Sequence, residues 1–137
     1  MLLRLASACA VAGPIIGIAA GVSLLIPRWS AADVRILTTF WCFVPLIWGL
    51  WAILAPASWV PRRLPLWGAI LGIVAGVVAG PVLDMPLRLV GVRGVSWFPV
   101  VVGPVLYYVL WLLVARTYGS LSAASQPAHA AGATTKL

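Results

Sequence analysis

The chain has 137 residues, 64% of them hydrophobic and 8% charged, and its mean hydropathy is +1.12. A soluble domain carries about 25% charged residues, so a chain this apolar cannot build a water-facing surface, and lipid must be its solvent. The formal charge of +7 does not point to nucleic acid, because the basic residues stand singly at the ends of apolar runs, apart from the pair Arg62-Arg63, whereas a phosphate-binding surface gathers them into a stripe.

Four apolar segments follow in chain order, at residues 5–26, 36–55, 66–83 and 97–115. Each is near the roughly 20 residues needed to cross a hydrocarbon core of about 30 Å. They must be helices, since lipid offers no partner for free backbone groups. The first segment follows Arg4 and could be taken for a signal peptide, but its apolar stretch exceeds the usual core of about 7–15 residues, and it reads as an uncleaved helix. It carries Gly13, Gly17 and Gly21, four residues apart. The second segment is aromatic and proline-containing, with Trp41, Pro45, Trp48 and Trp51. Pro61 and Pro65 in the connection that follows stop helix continuation.

The third segment carries Gly68, Gly72, Gly76 and Gly80, again four apart, spanning ~18 Å of helix at about 1.5 Å per residue. Spacing of four places each glycine set on one ridge of its helix. A ridge without side chains lets a second helix come to backbone contact, as helices do in lipid. The two ridges could pack on each other, segment one against segment three, or either could receive another chain. The fourth segment is aromatic, with Pro99, Pro104, Tyr107, Tyr108 and Trp111. Residues 119–137 are rich in Ala, Ser and Thr with no apolar period, the composition of a disordered tail.

The expected fold is therefore all-α: a compact bundle of four transmembrane helices over residues 1–118, with a disordered cytoplasmic tail after it. The pattern also admits a 2+2 parallel internal repeat. An offset of 55 maps Gly13, Gly17 and Gly21 onto Gly68, Gly72 and Gly76, and each glycine helix precedes an aromatic one. An even number of spans puts both termini on one side. That side holds Arg4, Arg62, Arg63, Arg116 and Lys136, against Arg28, Arg35, Arg88 and Arg93 on the other. The positive-inside rule then makes both termini cytoplasmic, and the composition fits a bacterial inner membrane. Trp29, Trp41 and Trp97 are expected near one interface, Trp59, Trp67 and Trp111 near the other.

The polar inventory narrows function. The chain has no Glu and no Asn, its only acids are Asp33 and Asp84, and its only His, Gln and Lys are His129, Gln126 and Lys136, all in the tail. Catalysis and metal binding draw on those residue types, so no enzyme, cofactor or metal site is expected. Cys9 and Cys42 read as small hydrophobes. One candidate polar cluster remains where the first and third connections meet: Asp33, Arg35, Asp84, Arg88 and Arg93. An acid at a helix C-terminus opposes the macrodipole and needs a partner, so Asp84 is expected to pair with Arg88 or Arg93, or else to serve a proton or cation pathway. The aromatic pairs Trp48/Trp51 and Tyr107/Trp111 could line a groove for a lipid tail, quinone or pigment, or simply fill the bundle.

These features point to a non-catalytic membrane protein, an accessory or assembly subunit that meets other membrane subunits, or further copies of itself, through its glycine ridges. The alternative is a small oligomeric channel or transporter for a small solute or hydrophobic compound. The chain resembles the small multidrug exporters in size only, for their embedded first-helix glutamate has no counterpart in a chain without Glu.

Overall fold

The computed structural model describes residues 1–25, 30–85, 87, 91 and 93–133. Its elements are α1 (Leu2–Leu24), α2 (Ala31–Leu54), a short 3-10 turn (Ala57–Trp59), α3 (Leu64–Val77), a π turn that continues α3 (Val78–Val82), and α4 (Phe98–Ala133). No strand occurs among the described residues, and the all-α expectation holds. Leu2–Val22, Leu64–Val82 and Phe98–Ser125 are long and apolar enough to cross a membrane, while the described apolar part of α2, Trp41–Leu54, is shorter.

Local chemistry sets several of these boundaries. α2 stops at Leu54, just before Pro56, because the residue preceding a proline disfavours the α region. Pro65 sits in the first turn of α3, where its missing N–H costs no hydrogen bond. Pro81 removes a donor inside the helix. Around it the chain widens to a π turn in which the Leu83 amide reaches back five residues to the Val78 carbonyl at 3.0 Å.

The chain forms two antiparallel hairpins. In the first, Arg4 on α1 donates to the Ala55 carbonyl at 2.8 Å and the Cys9 thiol donates to the Pro45 carbonyl at 3.4 Å. In the second, Gly68 faces Trp111 and Gly80 faces Ser96. α4 also packs on α1. The hairpins are further joined by a reciprocal tryptophan pair. Trp51 donates its indole N–H to the Trp67 carbonyl at 2.9 Å, Trp67 donates to the Trp51 carbonyl at 2.8 Å, and the rings stack at 4.9 Å.

The core lies towards one end of this bundle. Ser7, Ala8, Ala12, Val44, Trp48, Ala52, Ala55, Leu64, Leu71, Trp111 and Val114 are buried there. Ser7 meets its polar need locally, its hydroxyl donating to the Arg4 carbonyl at 2.9 Å. Outward positions are apolar on every helix, with Ile18, Phe43, Leu50, Ile70, Ile73, Val101, Val105 and Val109 all exposed. A bundle apolar on its outside as well as its inside is solvated by hydrocarbon, not water.

α4 runs from Phe98 to Ala133, beyond residue 115 and into the segment that follows it. Alanine carries the highest helix propensity. The serine hydroxyls that would compete for backbone bonds fold onto preceding carbonyls instead, Ser120 on Thr117, Ser122 on Gly119 and Ser125 on Ser122. Trp111 is fully buried, packed between Trp48 of α2 and Gly68 of α3. Trp97 is exposed, and Trp29 and Lys136 lie outside the described residues.

Candidate helix-packing and polar sites

The third-segment glycines lie along α4. A Cβ at Gly72 would stand 2.5 Å from the Gly103 carbonyl oxygen and 2.9 Å from the Pro104 Cα. One at Gly76 would meet the Pro99 carbonyl and the Val100 Cα, and one at Gly80 the Ser96 carbonyl. Gly68 accommodates not backbone but the buried indole of Trp111. Gly103 completes the seam from the other side, where a Cβ would stand 2.5 Å from the Gly72 carbonyl. Along this seam the two backbones touch without side chains between them.

Gly13, Gly17 and Gly21 are placed differently. Among the described residues a Cβ at any of them would meet nothing within 4 Å, so segment one does not pack its ridge on segment three. α1 meets α2 at Leu5 and Cys9, against which Gly49 of α2 is fitted, and it buries another set of small residues, Ala8 and Ala12, in the core. The halves related by the offset of 55 thus use non-equivalent faces: Ala8 and Ala12 correspond to Arg63 and Trp67, and no glycine seam joins α1 to α2.

Part of the expected polar cluster lies among the described residues. Asp84 leaves the end of the π turn with φ +45°, the left-handed region, where Asp and Asn are more tolerated than other side-chain-bearing residues. There its amide donates to the Gly80 carbonyl at 2.7 Å, and its carboxylate accepts from the Ser96 hydroxyl at 2.7 Å. Ser96 is a partner of Asp84 among the described residues, and the expected pairing with Arg88 falls outside them. Arg93 and Arg35 are exposed; Arg88 and Arg28 lie outside the described residues, as does the side chain of Asp33 in the first turn of α2. No group of His, Cys, Asp or Glu able to hold a metal occurs among the described residues, and Cys9 and Cys42 are free thiols.

The aromatic residues separate into two sets. Trp48 meets Tyr107 at 5.4 Å and Trp111 at 5.8 Å, in the tilted arrangement such rings favour. The Trp48 and Trp111 indole nitrogens are buried, and neither has an acceptor in good hydrogen-bond geometry among the described residues. Trp51, Trp67 and Trp59 form the second set, nearer the α2–α3 connection, with Trp59 edge-on to Trp67 at 5.9 Å. Beside the first set lie two apolar cavities. One of about 280 Å³ runs along the α3–α4 seam, and one of about 180 Å³ lies between α2 and α3; both are bounded by Ala75, Val78 and Tyr107.

The sequence held two signals for what it did not assign. Gly103 is the one glycine within residues 97–115, at the register that meets Gly72. Ser96 is the sole hydroxyl in the third connection, residues 84–96. Compared with protein-family models, curated proteins and solved structures, the chain matches none of them.

Proposed function

We propose that the protein is a non-catalytic accessory or assembly subunit of a larger membrane complex, with four spans, both termini cytoplasmic, and α1 as its docking helix. The reading rests on one observation: Gly13, Gly17 and Gly21 form an open ridge in a chain whose other glycine ridge is buried to backbone contact. A small-residue ridge gives close van der Waals packing only when a helix lies in it. Lipid tails fill such a notch less completely, so a second transmembrane helix is the favoured occupant. The chemistry of the described residues agrees with a structural role, for its one engaged acid is tied to a serine.

The alternative reading, a small oligomeric channel or transporter for a hydrophobic compound, is favoured by the paired cavities around Tyr107. The smaller of them is bounded by Trp48, whose indole N–H has no acceptor in good geometry among the described residues.

Purification in mild detergent separates the two. The subunit reading expects a stoichiometric partner that the parent retains and Gly17→Leu loses, with the thermal stability of the isolated chain unchanged. A homo-oligomer that carries flux in liposomes, with no other protein bound, would overturn it in favour of the transporter.

A further inference from the structure

The charges are divided unequally between the two ends of the bundle. The chain's only acids, Asp33 and Asp84, stand at the start of α2 and just past the π turn, the end shared with Arg35 and Arg93. The opposite end carries Arg4, Arg62, Arg63 and Arg116 with no acid at all. Arg4 is engaged there, its guanidinium donating to the Ala55 carbonyl just past the end of α2, where a cation is favoured. Arg62 and Arg63 are exposed and adjacent.

Their position is fixed by the packing around them. The Arg63 amide donates to the Trp59 carbonyl at 2.7 Å, and the Arg63 carbonyl accepts from Leu66 and Trp67 at 3.1 and 3.2 Å. Trp67 is in turn clasped to Trp51 and abutted by Trp59. Tryptophans of this kind settle at the level of lipid headgroups. The first turn of α3, directly after the pair, holds no acid. The positive end of that helix therefore adds to the two guanidinium charges, and no acidic side chain among the described residues stands beside them. Below them, Leu66, Ile70, Ile73 and Val77 line an exposed apolar face of α3.

We infer that Arg62 and Arg63 bind the phosphate of an anionic phospholipid headgroup, whose acyl chains lie against the exposed face of α3. Guanidinium forks match phosphate oxygens two at a time, and a leaflet rich in anionic lipid attracts such a pair over a Debye length. A phosphate here supplies the negative charge that the end of the bundle lacks.

The test uses the full chain in vesicles of phosphatidylcholine, with or without phosphatidylglycerol, reading thermal stability and, by native mass spectrometry, retained lipid. Phosphatidylglycerol should raise the Tm of the parent. The double variant Arg62→Gln/Arg63→Gln should match the parent in phosphatidylcholine, lose most of that rise, and retain phosphatidylglycerol on the order of tenfold more weakly. Arg62→Lys/Arg63→Lys should keep most of the rise. Arg35→Gln/Arg93→Gln should keep all of it, because acids already stand at that end. Equal loss in the two Gln pairs, or none in the first, would overturn the assignment. So would an equal rise in Tm from inorganic phosphate in detergent, which would make the ligand a soluble anion.

Discussion

α1 and α3 carry the same glycine spacing and meet opposite fates. On α3 the ridge is closed by backbone at Gly72, Gly76 and Gly80 and by the Trp111 indole at Gly68. On α1 the same spacing faces open space, while Ala8 and Ala12 on a different face do the packing. The difference lies in the neighbour. α4 presents Gly103 and the backbone at Pro99 to the α3 ridge, Ser96 just ahead of α4 meets Gly80, and Trp111 ends the seam over Gly68. α2 brings Pro45 and Gly49 to α1 and has only one glycine to offer. A ridge of small residues is therefore a capacity for close approach, and the complementary helix decides whether it is used within the chain.

This comparison is most exposed to substitutions on α3. Gly72→Leu or Gly76→Leu should have the largest effect, since the side chain would enter α4 backbone with no flexible group to displace. Overpacking of this kind costs typically ~1–3 kcal/mol and sometimes more, so the detergent-stable fraction should collapse in thermal-melt and size-exclusion measurements. Parent-like melting of both variants would falsify the seam. Gly72→Ala should be milder than Leu yet still clearly destabilising, because even a methyl group stands 2.5 Å from the Gly103 carbonyl.

Next in size comes the clasp between the hairpins. Trp67→Phe keeps an aromatic ring against Trp51 but removes the N–H donated to the Trp51 carbonyl. A loss of about 1 kcal/mol is expected, read as a lower Tm. A change within error would mean that the two hairpins are held by ring contact alone.

Asp84 comes below that. Asp84→Asn keeps an acceptor for Ser96 and a residue tolerated at φ +45°, so stability should stay within about 0.5 kcal/mol of the parent. Asp84→Ala should lose about 1 kcal/mol with the hydrogen bond. If liposome flux exists and disappears in Asp84→Asn at normal abundance, the acid belongs to a transport pathway and the subunit reading gives way.

The smallest effect on the isolated chain should be that of Gly17→Leu, where nothing lies within 4 Å. Its Tm should not move, and only the partner should be lost. A large fall in Tm would show that the α1 ridge is covered within the chain after all, and the contrast with α3 would vanish.

Much of the architecture was legible in the residues. Apolar runs of membrane length, prolines between them and the lack of polar chemistry give an all-helical bundle from composition and spacing alone. The pairing of the helices was not legible, because Gly13–Gly17–Gly21 and Gly68–Gly72–Gly76 have identical spacing. Only the surface of the facing helix distinguishes them, and the single Gly103 is easily passed over among the aromatic residues of α4. Long-range polar contacts were hidden for a similar reason. Asp84 carries a charge and suggests a charged partner, but the neutral Ser96 reaches it because Gly80 brings the start of the α4 hairpin into backbone contact. The reciprocal Trp51–Trp67 bonds use main-chain carbonyls, which every residue possesses, so no side-chain pattern announces them. Trp111 looked interfacial by its position near the end of a span. Its burial depends on the notch that Gly68 leaves, again a property of the partner helix.

The π turn at Val78–Val82 works as a vernier for the seam. In a regular α-helix a ridge of spacing four creeps around the axis by about 40° at each step, because 3.6 residues complete a turn. Over three steps the last glycine would have rotated far from the line of the first. A turn that closes over five residues rotates each residue less and winds that drift back. Pro81, a helix breaker by its chemistry, thereby brings Gly80 round to face Ser96, and α4 can follow a straight track from Trp111 to the far end of the membrane.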